Sequence, residues 1–401
     1  MQTATPLSFD GLIVAENYLW DGLPHTKNQS HHYFPAAWGS VTNQPVLLVN
    51  MIPPWQTPMH PKFAWRFRPG LHRTASPHIH LLNIWQDDWR EGSHRGDALP
   101  VASTVQQIRA AARALHMAQP VLMVSEPAHG VLFGQCGERW SVWFCSDDFA
   151  ASDIRRAQSI RQNEEKFLPY VDLVLAVSPT LAEKWRSQAK QVLLVPSAVD
   201  AEELTRYAAH TTGVAGWPAD KIRHPCVVYL GSLNERVDYD CLLQTIRQCA
   251  DVTFLFIGPM ALDAESSPYA GTLAEVQSAP NSIYLGRRNR REISWILTQC
   301  DAGIIPYLNN DFNRSCSPVK AYEYSALGLP TIATPLPAIE LMQENVCIAK
   351  SSQFAQALRH VMADLPLWRT RAHALLASNT WQDRVLLVQR KLQSMLVISE
   401  Q

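Results

Sequence analysis

Short apolar runs rich in Val, Ile and Leu alternate along this chain with segments of helical periodicity, and that alternation restricts the fold more than any other feature. Strands without a polar face are buried on both sides, as in a parallel sheet covered by helices. In the first half the runs are Leu12–Ala15, Val46–Val49, Leu81–Trp85, Val121–Val124, Val142–Cys145, Leu173–Val177 and Val192–Val195. Between two of them, Ser103–His116 places Val105, Ile108, Ala112 and Leu115 on one helical stripe. The pattern stops near Tyr207. From 208 to 225 apolar periodicity is absent and Gly213, Gly216, Pro218 and Pro225 appear, which reads as a linker. The alternation restarts with Val227–Leu230, Val252–Ile257, Ile283–Leu285, Gly303–Pro306 and Thr331–Ala333. A chain of 401 residues is long for a single core, so two α/β domains of the doubly wound, Rossmann-like type are expected. The expected organisation is an N-terminal domain over 1–210, a linker over 211–225, a second domain over 226–378 and a final helix over 379–401.

That last helix opens with Thr380-Trp-Gln-Asp383, the pattern of a capping box. Trp381, Val385, Val388, Leu392 and Met395 then form a long apolar stripe, which suits docking back on the first domain. The net charge of −1 gives no push toward nucleic acid. Eight cysteines, at 136, 145, 226, 241, 249, 300, 316 and 347, include no C-x-x-C pair. Neither a metal cage nor a disulfide framework is favoured by that scatter. The first nine residues lack an apolar signal-peptide segment, and no apolar run approaches the ~20 residues that cross a bilayer. A cytoplasmic protein is expected, at most peripheral to a membrane. One segment, His60 to Arg68, interleaves aromatics with Lys62, Arg66 and Arg68 and carries no acid. It reads as a solvated loop or edge strand, or as a contact for anionic headgroups, where rings anchor and cations meet phosphate.

The segment richest in chemistry runs from Asn313 to Pro330. Ser317 suits an N-cap, Pro318 a first helical residue, and Gly328 followed by Pro330 a stop. Lys320 then falls in the first turn, where the helix dipole disfavours a cation, and Arg314 just upstream adds to the misfit. An anion such as a diphosphate docking at the helix start resolves it. Glu323, one turn deeper, is placed to accept hydrogen bonds from ribose hydroxyls. The plainer alternative is an exposed helix with a Lys–Glu pair worth a few tenths of a kcal/mol.

The run Ser-Pro-Val-Lys-Ala-Tyr-Glu-Tyr-Ser-Ala-Leu-Gly-Leu-Pro-Thr-Ile-Ala-Thr at 317–334 resembles the donor-site signature of group 1 (family 4-like) glycosyltransferases of the GT-B fold. Segments 227–238, 256–259, 284–288 and 301–307 are similar, in order, to the family's strand ends around its nucleotide cleft. Segments 171–178 and 195–200 resemble its strands before the hinge, and the Trp381 helix its crossing C-terminal helix. The resemblance covers roughly 120–401. It implies two Rossmann-like domains facing a cleft, a UDP- or GDP-sugar donor, no metal, retention in preference to inversion, and a glycan or lipid-linked acceptor in bacterial cell-surface or exopolysaccharide synthesis. Carried over residue by residue, it makes Arg236 and Lys320 diphosphate ligands and Glu323 the ribose ligand. Gly231 and Ser317 become points of close backbone approach, and Arg287 part of the base rim. Two positions depart from the pattern: Ser315 stands where the family has the first of two glutamates, and Ser197-Ala198 where Asn-Gly is usual.

Transfer needs the leaving diphosphate stabilised and an acceptor hydroxyl held in line. Asp148, Asp21 and His129 each follow an expected strand of the first half and are the candidates to position or deprotonate the acceptor, each also a natural cap or turn residue. Asp238-Tyr-Asp240 has the letters of a metal-binding Asp-x-Asp but reads as a helix cap, and no G-x-G-x-x-G is present. A second reading is a degenerate GT-B protein that binds nucleotide or glycan as a regulator or scaffold, which Ser315 permits.

Overall fold

The computed structural model describes residues 9–16, 29–52, 68–85, 101–152, 155–262 and 267–399. These divide into two compact units, one of Met1–Pro196 with Trp381–Gln401 and the other of Ser197–Thr380.

The first unit is built on an eight-stranded sheet of β1 (Leu12–Glu16), β2 (Val46–Ile52), β3 (Gly70–Arg73), β4 (Ile79–Trp85), β5 (Val121–Val124), β6 (Trp140–Cys145), β7 (Leu173–Ala176) and β8 (Val192–Leu194). Its order is β3-β4-β2-β1-β5-β6-β7-β8, parallel throughout except for β3, which pairs antiparallel with β4. The seven expected strands all form. β3 was not expected, because four residues alternating between half-buried and exposed leave no apolar run to read. The Val101–Ala114 helix buries Val105, Ile108 and Ala112 of the expected stripe. The Trp381–Ser399 helix belongs to this unit and buries Trp381, Val385, Val388, Leu392 and Met395. Trp381 meets Phe34 of the Gln29–Thr42 helix edge-on, with ring centroids 6.5 Å apart.

The second unit has a six-stranded, all-parallel sheet of β9 (Cys226–Leu230), β10 (Thr253–Ile257), β11 (Ser282–Gly286), β12 (Ala302–Ile305), β13 (Thr331–Ala333) and β14 (Cys347–Ile348). The order β11-β10-β9-β12-β13-β14 is the 3-2-1-4-5-6 arrangement of a doubly wound nucleotide-binding sheet. The chain therefore has the expected fold class, with a Rossmann-like sheet in each unit.

The division between units falls after Pro196, upstream of the expected linker at 211–225. The reason is packing that a local pattern cannot show. The Ala201–His210 helix is tied to the second unit by a Glu203–Arg290 ion pair, and Trp217 meets Trp295 edge-on at 5.1 Å. Among the described residues, no helix is long and apolar enough to cross a membrane.

Candidate functional site

Ligands of doubly wound sheets bind beyond the carboxyl ends of the strands, where the strand order reverses. In the second unit that reversal lies between β9 and β12. These strands pair only through Ala302–Val227 and Gly303–Val228, and then part. Tyr324, from the Val319–Ala326 helix, fills the opening. Its hydroxyl accepts from Leu230 N–H at 2.9 Å and lies 3.3 Å from Val228 O, so the backbone groups exposed by the parting are satisfied. The ring comes so close to β12 that a Cβ on Gly303 would lie 2.3 Å from Tyr324 Cδ2. Burial drives the Tyr324 pKa well above the ordinary phenol value, so the group works as a neutral hydroxyl.

The strand ends carry a row of glycines. Gly231 N–H donates to Ile257 O at 2.8 Å and Gly258 N–H to Gly286 O at 3.0 Å. Gly231 and Gly258 have φ of 154° and 142°, conformations that require glycine, and they touch. A Cβ on Gly258 would sit 2.0 Å from Gly231 O, whereas one on Gly231 would meet Lys320 Cε at 3.6 Å. Lys320, the second residue of the Val319–Ala326 helix, thus lies over the glycine turn.

Arg236 is placed by its backbone first. Asp238 N–H donates to Pro306 O, Leu308 N–H to Arg236 O, and the buried Asn313 amide donates to both Arg236 O and Leu308 O. The Arg236 guanidinium lies over Phe312 at 4.3 Å and donates to Cys316 Sγ at 3.3 Å, which brings it to the residues leading into the Val319–Ala326 helix. Gly231, Arg236 and Lys320 are therefore gathered around one switch point.

Ser317 departs from expectation. The helix begins at Val319 with Pro318 as its cap, and Ser317 instead exchanges hydrogen bonds with Ser197: its Oγ accepts from Ser197 N–H, and its carbonyl from Ser197 Oγ. Glu323 is buried and takes Nη1 of Arg290 at 2.8 Å, while Arg290 Nε holds Glu203 at 2.8 Å. The exposed Lys–Glu pair is thereby replaced by a buried ion cluster. Ser315 is buried, with its hydroxyl donating to Asp311 O at 3.1 Å. Arg287 is exposed directly after β11. Asp238 is the expected cap, accepting from Cys241 N–H at 2.9 Å.

In the first unit the reversal lies between β1 and β5. His129 sits in the Pro127–Leu132 turn just after β5 and is buried. Burial lowers its pKa to about 4 against the raising effect of the Ala15 carbonyl, so the imidazole is neutral near pH 7. Asp148 accepts from Ala151 N–H at 3.2 Å and pairs with Lys184 at 3.1 Å, making it a capping and ion-pairing group. Buried Glu164 was not among the expected site residues. Burial raises its pKa to about 7 against the lowering effect of Lys184, and Asp148 raises it further. Asp21 and the basic-aromatic residues 60–67 lie outside the described residues. Among the described residues, no group of three His, Cys, Asp or Glu side chains is disposed to hold a metal ion.

Residues 224–364 match the family described as glycosyl transferases group 1. The second unit thus resembles a group 1 glycosyltransferase domain. The match spans β9 to the Phe354–Ala363 helix and so includes the whole switch-point site. TuaH of Bacillus subtilis (strain 168), a protein named for glycosyl transfer in teichuronic acid biosynthesis, is 29% identical over 116 residues, which is 29% of this chain and 28% of that one. Among solved structures, a Thermosynechococcus elongatus sucrose-phosphate synthase superposes with a TM-score of 0.69 at 15% identity, over 97% of this chain and 100% of its own. An E. coli trehalose-6-phosphate structure bound with UDP-2-fluoro glucose gives 0.62 at 10% identity, over 96% and 99%. Anabaena HepE in complex with UDP and glucose gives 0.61 at 12%, over 96% and 98%. These likenesses show the GT-B fold.

Proposed function

We propose that this chain transfers a sugar from a nucleoside-diphosphate sugar, UDP- or GDP-linked, to a glycan or lipid-linked acceptor, and that the second unit binds the donor. The observation that carries the reading is Lys320 at a helix N-terminus above the Gly231–Gly258 turn, with Arg236 directed to the same helix start. Two cations, a helix dipole and glycines that admit close backbone approach suit a diphosphate. As the glycosidic bond breaks, negative charge grows on the leaving diphosphate, and these groups stabilise it without a metal. Glu323 serves as acceptor for the ribose hydroxyls, and Arg287 edges the base.

The UDP complexes of the E. coli and Anabaena neighbours support a UDP-sugar first. The name of the Bacillus relative supports a setting in cell-surface polysaccharide assembly. In this reading the protein works in the cytoplasm, peripherally at the inner face of the membrane, with exposed Arg68 the described part of its contact with anionic lipid. On the acceptor side neutral His129 serves as a hydrogen-bonding group, because a pKa of about 4 makes it a weak base.

One observation favours the degenerate binder as a second reading: the Ser315 hydroxyl is bonded within its own helix. Hydrolysis and transfer assays with UDP- and GDP-sugars separate the two. The enzyme reading expects turnover of one donor that falls at least tenfold in Lys320→Ala, with product stereochemistry reporting retention. Absence of turnover together with intact nucleotide binding would establish the binder.

A further inference from the structure

We infer that Arg290, anchored by Glu203, is a positioning residue that fixes the Glu323 carboxylate for the donor ribose. The inference rests on the reading of Glu323 given above. Asn289 and Glu292 form a capping box, which makes Arg290 the first residue of the Arg290–Thr298 helix. A cation is unfavourable there on dipole grounds, as it is at Lys320. Arg290 is nonetheless buried between two other helices, with Nε on Glu203 of Ala201–His210 and Nη1 on Glu323 of Val319–Ala326, both at 2.8 Å. All three side chains are less than a tenth exposed.

Stability alone gives no reason for this cluster. Desolvating buried ions of this kind is costly, and such a cluster is weak evidence for a stabilising role. What the arrangement does supply is geometry. The rigid guanidinium fork engages different carboxylates through Nε and Nη1, so its rotation about the long side chain is fixed from two sides. Glu323 Oε1 is thereby held in one direction. The next residue, Tyr324, is fixed through its hydroxyl to the β9 backbone, so the helix under Glu323 cannot slide either. Lys320 and Glu323 lie three residues apart on this helix, the spacing of neighbours on one face. The distance between a phosphate held by Lys320 and a ribose held by Glu323 is then set by the helix and by Arg290 together. Lysine in place of Arg290 keeps the charge but loses the fork.

The test measures ribose preference: the affinity ratio of UDP, or GDP where that binds more tightly, to its 2′-deoxy and 3′-deoxy counterparts. Titrations are run on wild type, Glu323→Gln, Arg290→Lys and Glu203→Gln, with thermal melting of each. The expected result is a ribose preference of at least tenfold in wild type that is abolished in Glu323→Gln, reduced at least fivefold in Arg290→Lys and reduced about twofold to threefold in Glu203→Gln. The deoxynucleotides themselves should bind nearly as in wild type, which general loosening of the fold would not allow. A preference lost in Glu323→Gln but intact in Arg290→Lys and Glu203→Gln overturns the positioning role and leaves the donor site standing. No preference in wild type, or one kept in Glu323→Gln, overturns the ribose reading and this inference with it. Should Arg290→Lys fail to fold, Glu203→Gln decides, and an unchanged preference there counts against the proposal.

Discussion

Replacing Gly258 with alanine puts a methyl group where the second unit has no room for one. Its Cβ would lie 2.0 Å from the Gly231 carbonyl oxygen and 2.6 Å from the carbonyl carbon, where ordinary contact begins near 3.4 Å. The obstacle is backbone, so no side-chain rotation relieves it. The φ of 142° is a second cost, since such a conformation is strained by about 1–3 kcal/mol in residues other than glycine. Overpacking adds about 1–3 kcal/mol. Melting temperature moves by about 2–4 °C per kcal/mol in a domain of this size, so the second unit should melt roughly 5–20 °C lower. Part of the strain will be relieved by moving Gly231, the backbone placed against the diphosphate in the functional reading. Nucleotide affinity should therefore fall about tenfold or more, equal to about 1.4 kcal/mol. Calorimetric melting and nucleotide titration of Gly258→Ala measure both effects. Wild-type melting combined with wild-type affinity would refute the close-packed glycine turn as part of the donor site.

Other expectations follow from single groups. The Glu164 carboxyl has a folded pKa of about 7, above its unfolded value, so its contribution to stability is fully present below about pH 4.5 and is lost as pH rises through 7. Glu164→Gln should match wild type in urea denaturation near pH 4.5 and exceed it by about 2–3 kcal/mol at pH 8; a pH-independent difference would contradict this. Tyr324→Phe strips the partner from Leu230 N–H and should cost about 1–3 kcal/mol in the same assay, with a cost near zero counting against the strand-parting description. For His129 the imidazole resonances should show a neutral ring from pH 8 down to 5, titrating near 4; a midpoint above 6 would contradict its burial.

Much of the architecture was legible because it is local. Runs such as Val227–Leu230 and Val121–Val124 are buried at every position, and the stripe on the final helix shows its inward face directly. The expected stop at Gly328 is also local, and it has the left-handed φ of 67° that ends a helix. The misplaced charge on Lys320 was legible for the same reason, because a cation in a first turn is anomalous whatever surrounds it. What escaped the sequence depends on distant partners. Ser317 looks like a cap until Ser197, 120 residues earlier, takes its hydroxyl. Glu323 looks exposed until Arg290 buries it, and Arg290 lies in an Arg-rich stretch that reads as solvated surface. The unit boundary was missed for the same reason, because Glu203 and Trp217 find their partners far along the chain. The edge strand β3 is too short and too exposed to carry a pattern of its own.

Calorimetric titration with UDP, GDP, ADP and CMP, in magnesium and then in chelator, probes the donor site itself. One nucleoside diphosphate is expected to bind in both conditions, and Lys320→Ala to weaken it at least tenfold with the fold unchanged by melting. Binding equal in wild type and Lys320→Ala, or no binding by any of the four, would contradict a donor site at the β9–β12 switch point.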